Sequence, residues 1–166
     1  MLVRPEIATN TGNIIRLCAN TGAVLHLVEP LGFSLDESRL RRAGLDYHEL
    51  AQVHVHDGWA ALDAAVPLRR FAFSSRSTRR YDQADLRPDD VYVFGAERAG
   101  LGSEELGRFD DEHLLRLPMR PGNRSLNLAN AVAIVVYESW RRTGFDGEVP
   151  GGGGFAETLH EDSFDP

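Results

Sequence analysis

The chain has 166 residues, 42% of them hydrophobic and 26% charged, which fits one globular domain with its own core and excludes a wholly disordered chain. Its single cysteine, Cys18, excludes an intramolecular disulfide and a CxxC-type metal site, so a reducing cytoplasm is the expected compartment. The net charge of −7 argues at first against an RNA ligand, yet six acids after Phe145 carry most of it, leaving 19 acidic against 18 basic residues over 1–145.

Leu2-Val3 begins a short strand, and Gly12 to Thr21 reads as a helix. Ala23 to Val28 is a strand stopped by Pro30 and Gly32. Asp36 to Ala43 is a short helix with Gly44 as its stop. Ala51 to Val55 is a strand and Gly58 to Ala65 a helix. Phe71 to Ser74 and Val91 to Phe94 are apolar strands, Ser103 caps a helix reaching about Arg108, and Leu114 to Leu117 is a further strand. Ser125 then caps the longest helix, which ends near Thr143-Gly144. This alternation predicts an α/β fold, a mostly parallel sheet with helices on both faces. The predicted domain is 1–145; residues 146–166, with Gly151 to Gly154 and scattered acids, read as a disordered Gly-rich acidic tail. No run is apolar enough for a membrane span.

Three segments carry the chemistry. In the first, Asn10 to Gly22, a helix would set Asn13, Arg16 and Asn20 on one face and Ile14, Leu17, Cys18 and Thr21 on the other. Asn is a poor helix former, so interior asparagines need a reason, and hydrogen bonding to a polar substrate supplies one. In the second, the strand Val91 to Phe94 runs into Gly95-Ala96-Glu97-Arg98-Ala99-Gly100-Leu101-Gly102, whose glycines let backbone approach a ligand closely. In the third, Leu117-Pro118-Met119 leads through a Pro/Gly loop to Ser125-Leu126-Asn127-Leu128-Ala129-Asn130, polar residues at the start of an otherwise apolar helix. Loops at the carboxyl ends of parallel strands are where such sheets hold ligands.

Taken in this order, and over nearly all of 1–145, the three segments resemble the three motifs of the SPOUT methyltransferases. Pro5-Glu6-Ile7 together with Arg39 to Glu49 is similar to the minimal subgroup that 2'-O-methylates the wobble nucleotide of certain leucine tRNAs. The resemblance implies a C-terminal deep trefoil knot, a homodimer, and S-adenosylmethionine bound in the knot with no metal. It gives Asn10, Arg16, Glu97 and Asn127 as the catalytic set. It gives Phe73, Gly95, Leu117, Met119, Ser125, Leu126 and Asn130 as the cofactor positions. Because a guanidinium stays protonated in proteins, Arg16 is read as stabilising the developing alkoxide. Arg39, Arg41 and Arg42, with Arg76, Arg79 and Arg80, are the candidates for tRNA contact, since phosphate binding dominates affinity. One departure is that only Met1 to Arg4 precede Pro5-Glu6-Ile7, where the family has a longer first strand.

Other chemistries have less behind them. His54 and His56 alternate along a strand, but a zinc site needs more ligands and a second shell. No GxSxG, HExxH or P-loop occurs, and the first strand does not lead into the GxGxG turn of the common methyltransferase fold. Cys18 is expected to be buried and inert, and Trp59 and Trp140 to pack in a core or interface. Two alternatives remain open: methylation of another tRNA or rRNA site, and a catalytically silent dimer that binds RNA or cofactor.

Overall fold

The computed structural model describes residues 1–35, 52–123 and 125–149. Its strands are β1 (Leu2–Val3), β2 (Leu25–Val28), β3 (Val53–His56), β4 (Arg70–Phe73), β5 (Val91–Val93) and β6 (Leu114–Leu115). Every pairing between them is parallel, in the orders β1-β2-β3 and β5-β4-β6. The two sets meet at β1, where Val3 N donates to Phe94 O at 2.8 Å and Phe94 N to Met1 O at 3.0 Å. The result is one parallel surface in the order β3-β2-β1-β5-β4-β6.

Alternating side chains of the strands feed two separate cores, as the period of a strand requires. Leu2, Leu25, Leu27, Phe71, Phe73, Phe94 and Leu115 face one way. They pack against α1 (Ala8–Thr21), through Ile14, Ile15 and Cys18, and against Leu128, Val132 and Val135 of the last helix. Val3, Val28, Ala72, Val91 and Val93 face the other way, against Leu62 of α2 (Trp59–Ala65), Val66 just after it, and Leu101 beside α3 (Ser103–Leu106). The last helix is α4 (Leu128–Arg142). Helices therefore cover both faces, as the alternating pattern predicts. Among the described residues no helix is long and apolar enough to cross a membrane.

Four sequence expectations are adjusted. α1 begins at Ala8, not Gly12, because Asn10 and Thr11 find buried places in its first turn. Within it Ile15 is fully buried, while Leu17 and Thr21 are only half-buried. Ser103 does not cap α3: Gly102 is the cap residue, and the Glu105 carboxylate accepts its N–H at 2.7 Å. Ser125 does not cap α4: Asn127 does, with Oδ1 accepting from Ala129 N at 2.9 Å and Asn130 N at 3.3 Å. Both cases follow from where the first helical turn falls, since an end is satisfied by whichever side chain reaches its free N–H groups. The helix expected at Asp36 to Ala43, with Arg39, Arg41 and Arg42, lies outside the described residues, as does the tail from Pro150 onward.

Strand pairing also brings together what the sequence leaves apart. His26 on β2 sits opposite His54 on β3, their rings 5.3 Å apart and stacked, and its Nδ1 is 3.0 Å from His56 Nε2. Cys18 is buried, and burial pushes its thiol pKa up. Trp59 lies edge-on to Phe109 with the Arg108 guanidinium 4.6 Å from its ring centre, and Trp140 packs between Tyr137 and Phe145.

Candidate active site

The carboxyl ends of β4, β5 and β6 open into a cavity of about 320 Å³. Phe73 and Phe94 stack in its floor with ring centres 4.8 Å apart and planes at 15°. Leu117, Met119, Leu126, Leu128 and Ala131 form the apolar walls, while Ser74, Ser75 and Ser125 supply hydroxyls. The loop after β5 folds back on itself, Gly100 N donating to Ala96 O at 2.8 Å. Gly95 is needed for that closure, since a Cβ there would overlap the Gly100 carbonyl carbon and the Leu101 nitrogen. Gly100 adopts φ +68°, the left-handed region that glycine enters without strain.

A polar chain runs alongside the cavity. Asn127 Nδ2 donates to Asn10 Oδ1 at 2.9 Å, and Asn10 Nδ2 donates to Glu97 Oε1 at 3.1 Å. The Glu97 carboxylate also accepts from Glu6 N at 2.7 Å and Ile7 N at 3.2 Å. Glu6 in turn accepts from Arg98 N at 3.1 Å. Three distant segments, the approach to α1, the loop after β5 and the start of α4, are thus tied at one point. Hydrogen bonds to a charged acceptor are the strong kind, each contributing about 1.5–3 kcal/mol.

The sequence-derived positions divide clearly. Phe73, Gly95, Leu117, Met119, Ser125 and Leu126 all line the cavity, and so does Glu97. Asn130 is exposed and does not line it; its N–H serves the Asn127 cap. Asn10, Glu97 and Asn127 are brought together. Arg16 is not among the lining residues: it lies exposed on α1, six residues and about 9 Å along the axis from Asn10. Asn13 and Asn20 are exposed on the same helix. Of the proposed RNA-contacting arginines among the described residues, Arg76, Arg79 and Arg80, only Arg76 reaches the cavity. Arg79 donates to the Glu112 and Gln83 carbonyls, and Arg80 pairs with Asp82. Sequence reading did not single out Phe94, Arg98 or Ala131 as cavity residues. Phe94 and Arg98 stand next to Gly95 and Glu97, so the strand-end segment marked them; Ala131 carried no signal beyond its place one turn into α4.

Residues 1–137 match the SpoU rRNA Methylase family. The chain belongs to that family. Among SpoU relatives, the tRNA (cytidine(34)-2'-O)-methyltransferase of Burkholderia pseudomallei (strain 1106a) is 59% identical over 150 residues, covering 89% of this chain and 96% of that protein. The protein of the same name from Escherichia coli (strain K12) is 49% identical, covering 90% and 96%. A solved structure described as "Structural insights into the 2-OH methylation of C/U34 on tRNA" superposes with a TM-score of 0.79 at 43% identity, covering 87% of this chain and 94% of its own.

Proposed function

We propose that this protein methylates the ribose 2'-hydroxyl of nucleotide 34 in tRNA, as its relatives' names suggest. A cytidine or modified uridine of leucine tRNAs is the narrower assignment that the motif resemblance implies. S-adenosylmethionine is the proposed methyl donor. The observation that carries the reading is the cavity at the ends of β4, β5 and β6 with the Asn10–Glu97–Asn127 chain beside it.

The residues present fit that donor. A cavity of about 320 Å³ is within the range of small-molecule sites. Phe94, Leu117 and Leu126 offer apolar surface to a nucleobase, while the Gly95 to Leu101 backbone and the serines offer polar partners at its edges. When bound, the donor supplies an already activated methyl group, so the protein has to position and activate the ribose oxygen. Holding the reacting oxygen in line at about 3–3.5 Å can account for several kcal/mol of the barrier.

Asn10, Glu97 and Asn127 act as positioning residues in this reading. Their polar atoms are engaged with one another and with backbone N–H groups, which fixes the cavity wall relative to α1. Arg16 provides the guanidinium that stabilises the developing alkoxide and orients the neighbouring phosphate. Because Arg16 lies outside its own chain's cavity lining, the reading includes a homodimer in which a second copy supplies this group. Ile134 and Tyr137, exposed on α4, suit an apolar contact between copies. The order β5-β4-β6, in which the chain returns across β4 before α4 packs against α1, supports the family's knot. We assign the reaction to the cytoplasm and the activity to residues 1–145, with the acidic remainder as an appendage.

The test is incubation with labelled S-adenosylmethionine and tRNA from cells lacking wobble methylation, followed by digestion and nucleoside identification. A 2'-O-methylated pyrimidine from the wobble position, absent with Arg16→Ala, is the expected outcome. Label at another tRNA position, or in rRNA alone, overturns the substrate assignment; cofactor binding without transfer to any RNA overturns the enzymatic one.

A further inference from the structure

Nearly every arginine among the described residues has its guanidinium engaged. Arg4 pairs with Glu105, Arg69 with Asp90, Arg70 and Arg108 with Asp63, Arg80 with Asp82, Arg87 with Asp85, and Arg141 and Arg142 with Glu138. Arg79 and Arg116 donate to backbone carbonyls, and Arg16 has a partner as well. Three guanidinium groups among the described residues have none: Arg76, Arg98 and Arg120. Arg76 and Arg98 both line the cavity, and Arg120 follows Met119, which lines it too. In a protein with a net charge of −7, the unpaired guanidinium groups among the described residues are thus gathered at one end of the sheet.

The backbones that carry two of these groups are held firmly. Arg76 N donates to Ser74 Oγ at 3.2 Å, in a turn tied to β6 by Ser77 Oγ donating to Leu114 O at 2.6 Å. Arg98 N donates to the Glu6 carboxylate at 3.1 Å, within the loop closed by Gly100 and Ala96. The acids nearby form no ion pair with these side chains: Glu97 and Glu6 accept from N–H groups. Both arginines are exposed, whereas the cavity floor at Phe94 and Gly95 is buried. A donor that is a net cation, with sulfonium and ammonium against one carboxylate, can engage at most one of the two guanidinium groups at the mouth. A polyanion engages both.

We infer that Arg76 and Arg98 form a two-point clamp for RNA backbone phosphates on either side of the nucleotide that enters the cavity. This rests on the proposed function for the identity of the RNA, but the clamp is read by binding and not by turnover. Unmodified tRNA is titrated without cofactor between 50 and 200 mM salt against the full chain and its Arg76→Gln, Arg98→Gln and double variants. Arg87→Gln, at a surface pair with Asp85, is the control. S-adenosylhomocysteine binding by calorimetry checks that each variant keeps its fold and cavity.

Each single change is expected to lower the salt slope by about 0.7, and the double change by about 1.4, as for single-stranded phosphate contacts. Affinity for tRNA should fall several-fold per arginine, the control should not move, and S-adenosylhomocysteine affinity should stay within about twofold. An unchanged slope in the double variant overturns the clamp. So does a large loss of S-adenosylhomocysteine affinity with tRNA binding intact, which would give these groups to the cofactor. Wild-type protein that methylates no wobble nucleotide, yet loses tRNA affinity with these changes, would overturn the proposed substrate position and leave the clamp standing.

Discussion

The Asn127 side chain donates to Asn10 Oδ1 at 2.9 Å while its own oxygen accepts the N–H groups of Ala129 and Asn130. One amide therefore starts α4 and ties it to α1 in the same act. The donor half serves the link between helices and the acceptor half serves the cap, so the two functions can be separated by substitution.

Asn127→Ser keeps a side-chain oxygen for the cap and removes the donor to Asn10. Unfolding free energy should fall by about 0.5–1.5 kcal/mol, the net value of one hydrogen bond. Methyl transfer should drop by a larger factor than stability explains, because Asn10 and Glu97 lose their anchor. Asn127→Ala removes the cap as well and should cost about 1 kcal/mol more. Denaturant titration alongside turnover measures both; equal activity in the serine variant and the wild type would remove Asn127 from the positioning chain.

Gly95→Ala should abolish S-adenosylhomocysteine binding while leaving the helical circular dichroism near wild type. The added methyl has to displace the backbone at Gly100 and Leu101, and the loop that moves is the cavity wall. Isothermal titration is the direct measurement. Retained affinity would mean that the wall tolerates a shift the close approach forbids.

Arg16→Lys keeps the positive charge but loses the planar fork. Turnover is expected to fall by about a hundredfold to a thousandfold, as when a donor to developing negative charge is lost, with S-adenosylhomocysteine affinity within about twofold. Near-native turnover would show that a point charge suffices and that the guanidinium geometry has no part in the chemistry.

Burial, then the Met1 amine and the neighbouring His56, His54 and Arg70 charges, push the His26 pKa down to about 4, and His56 is lowered as well, first by burial and then by His54. An unfolded histidine titrates near about 6.5, so between these values the unfolded chain binds more protons than the folded one. Stability from this pair of strands is therefore full above about pH 6.5 and is lost as pH falls toward 4. The melting temperature should decline from pH 7 to pH 5, and His26→Gln should flatten that decline. A parallel decline in the variant would trace it to other groups.

The sequence made the strand ends legible because parallel strands are short apolar runs closed by a turn: Gly95 follows Phe94, Pro118 follows Leu117, and Ser74-Ser75 follow Phe73. The two-sided core was legible for the same reason. What was not legible is whatever depends on register. His26 meets His54 and His56 only because β2 and β3 pair with no offset. Arg76, Arg79 and Arg80 look alike along the chain, and only folding shows that two have partners and one does not. The caps at Gly102 and Asn127 shifted by one and two residues from the expected serines, since Ser, Asn and Glu compete for the same N–H groups and local pattern does not rank them. Glu97 read as chemistry from its motif, whereas its contacts in the fold are to backbone N–H groups and Asn10.

A strand of only two residues lies in the middle of the sheet: Leu2 and Val3 join β2 on one side and Phe94 on the other. During synthesis Leu2 and Val3 must therefore wait for a neighbour some 90 residues later. At about 5–20 residues per second that wait is of the order of 5–20 s. Until then Met1 to Val3 have one open edge and an apolar side chain to hide. Nascent chains cut before Phe94 should be prone to sticking or to proteolysis at this segment, and the emergence of β5 is the moment at which the two halves of the sheet become one.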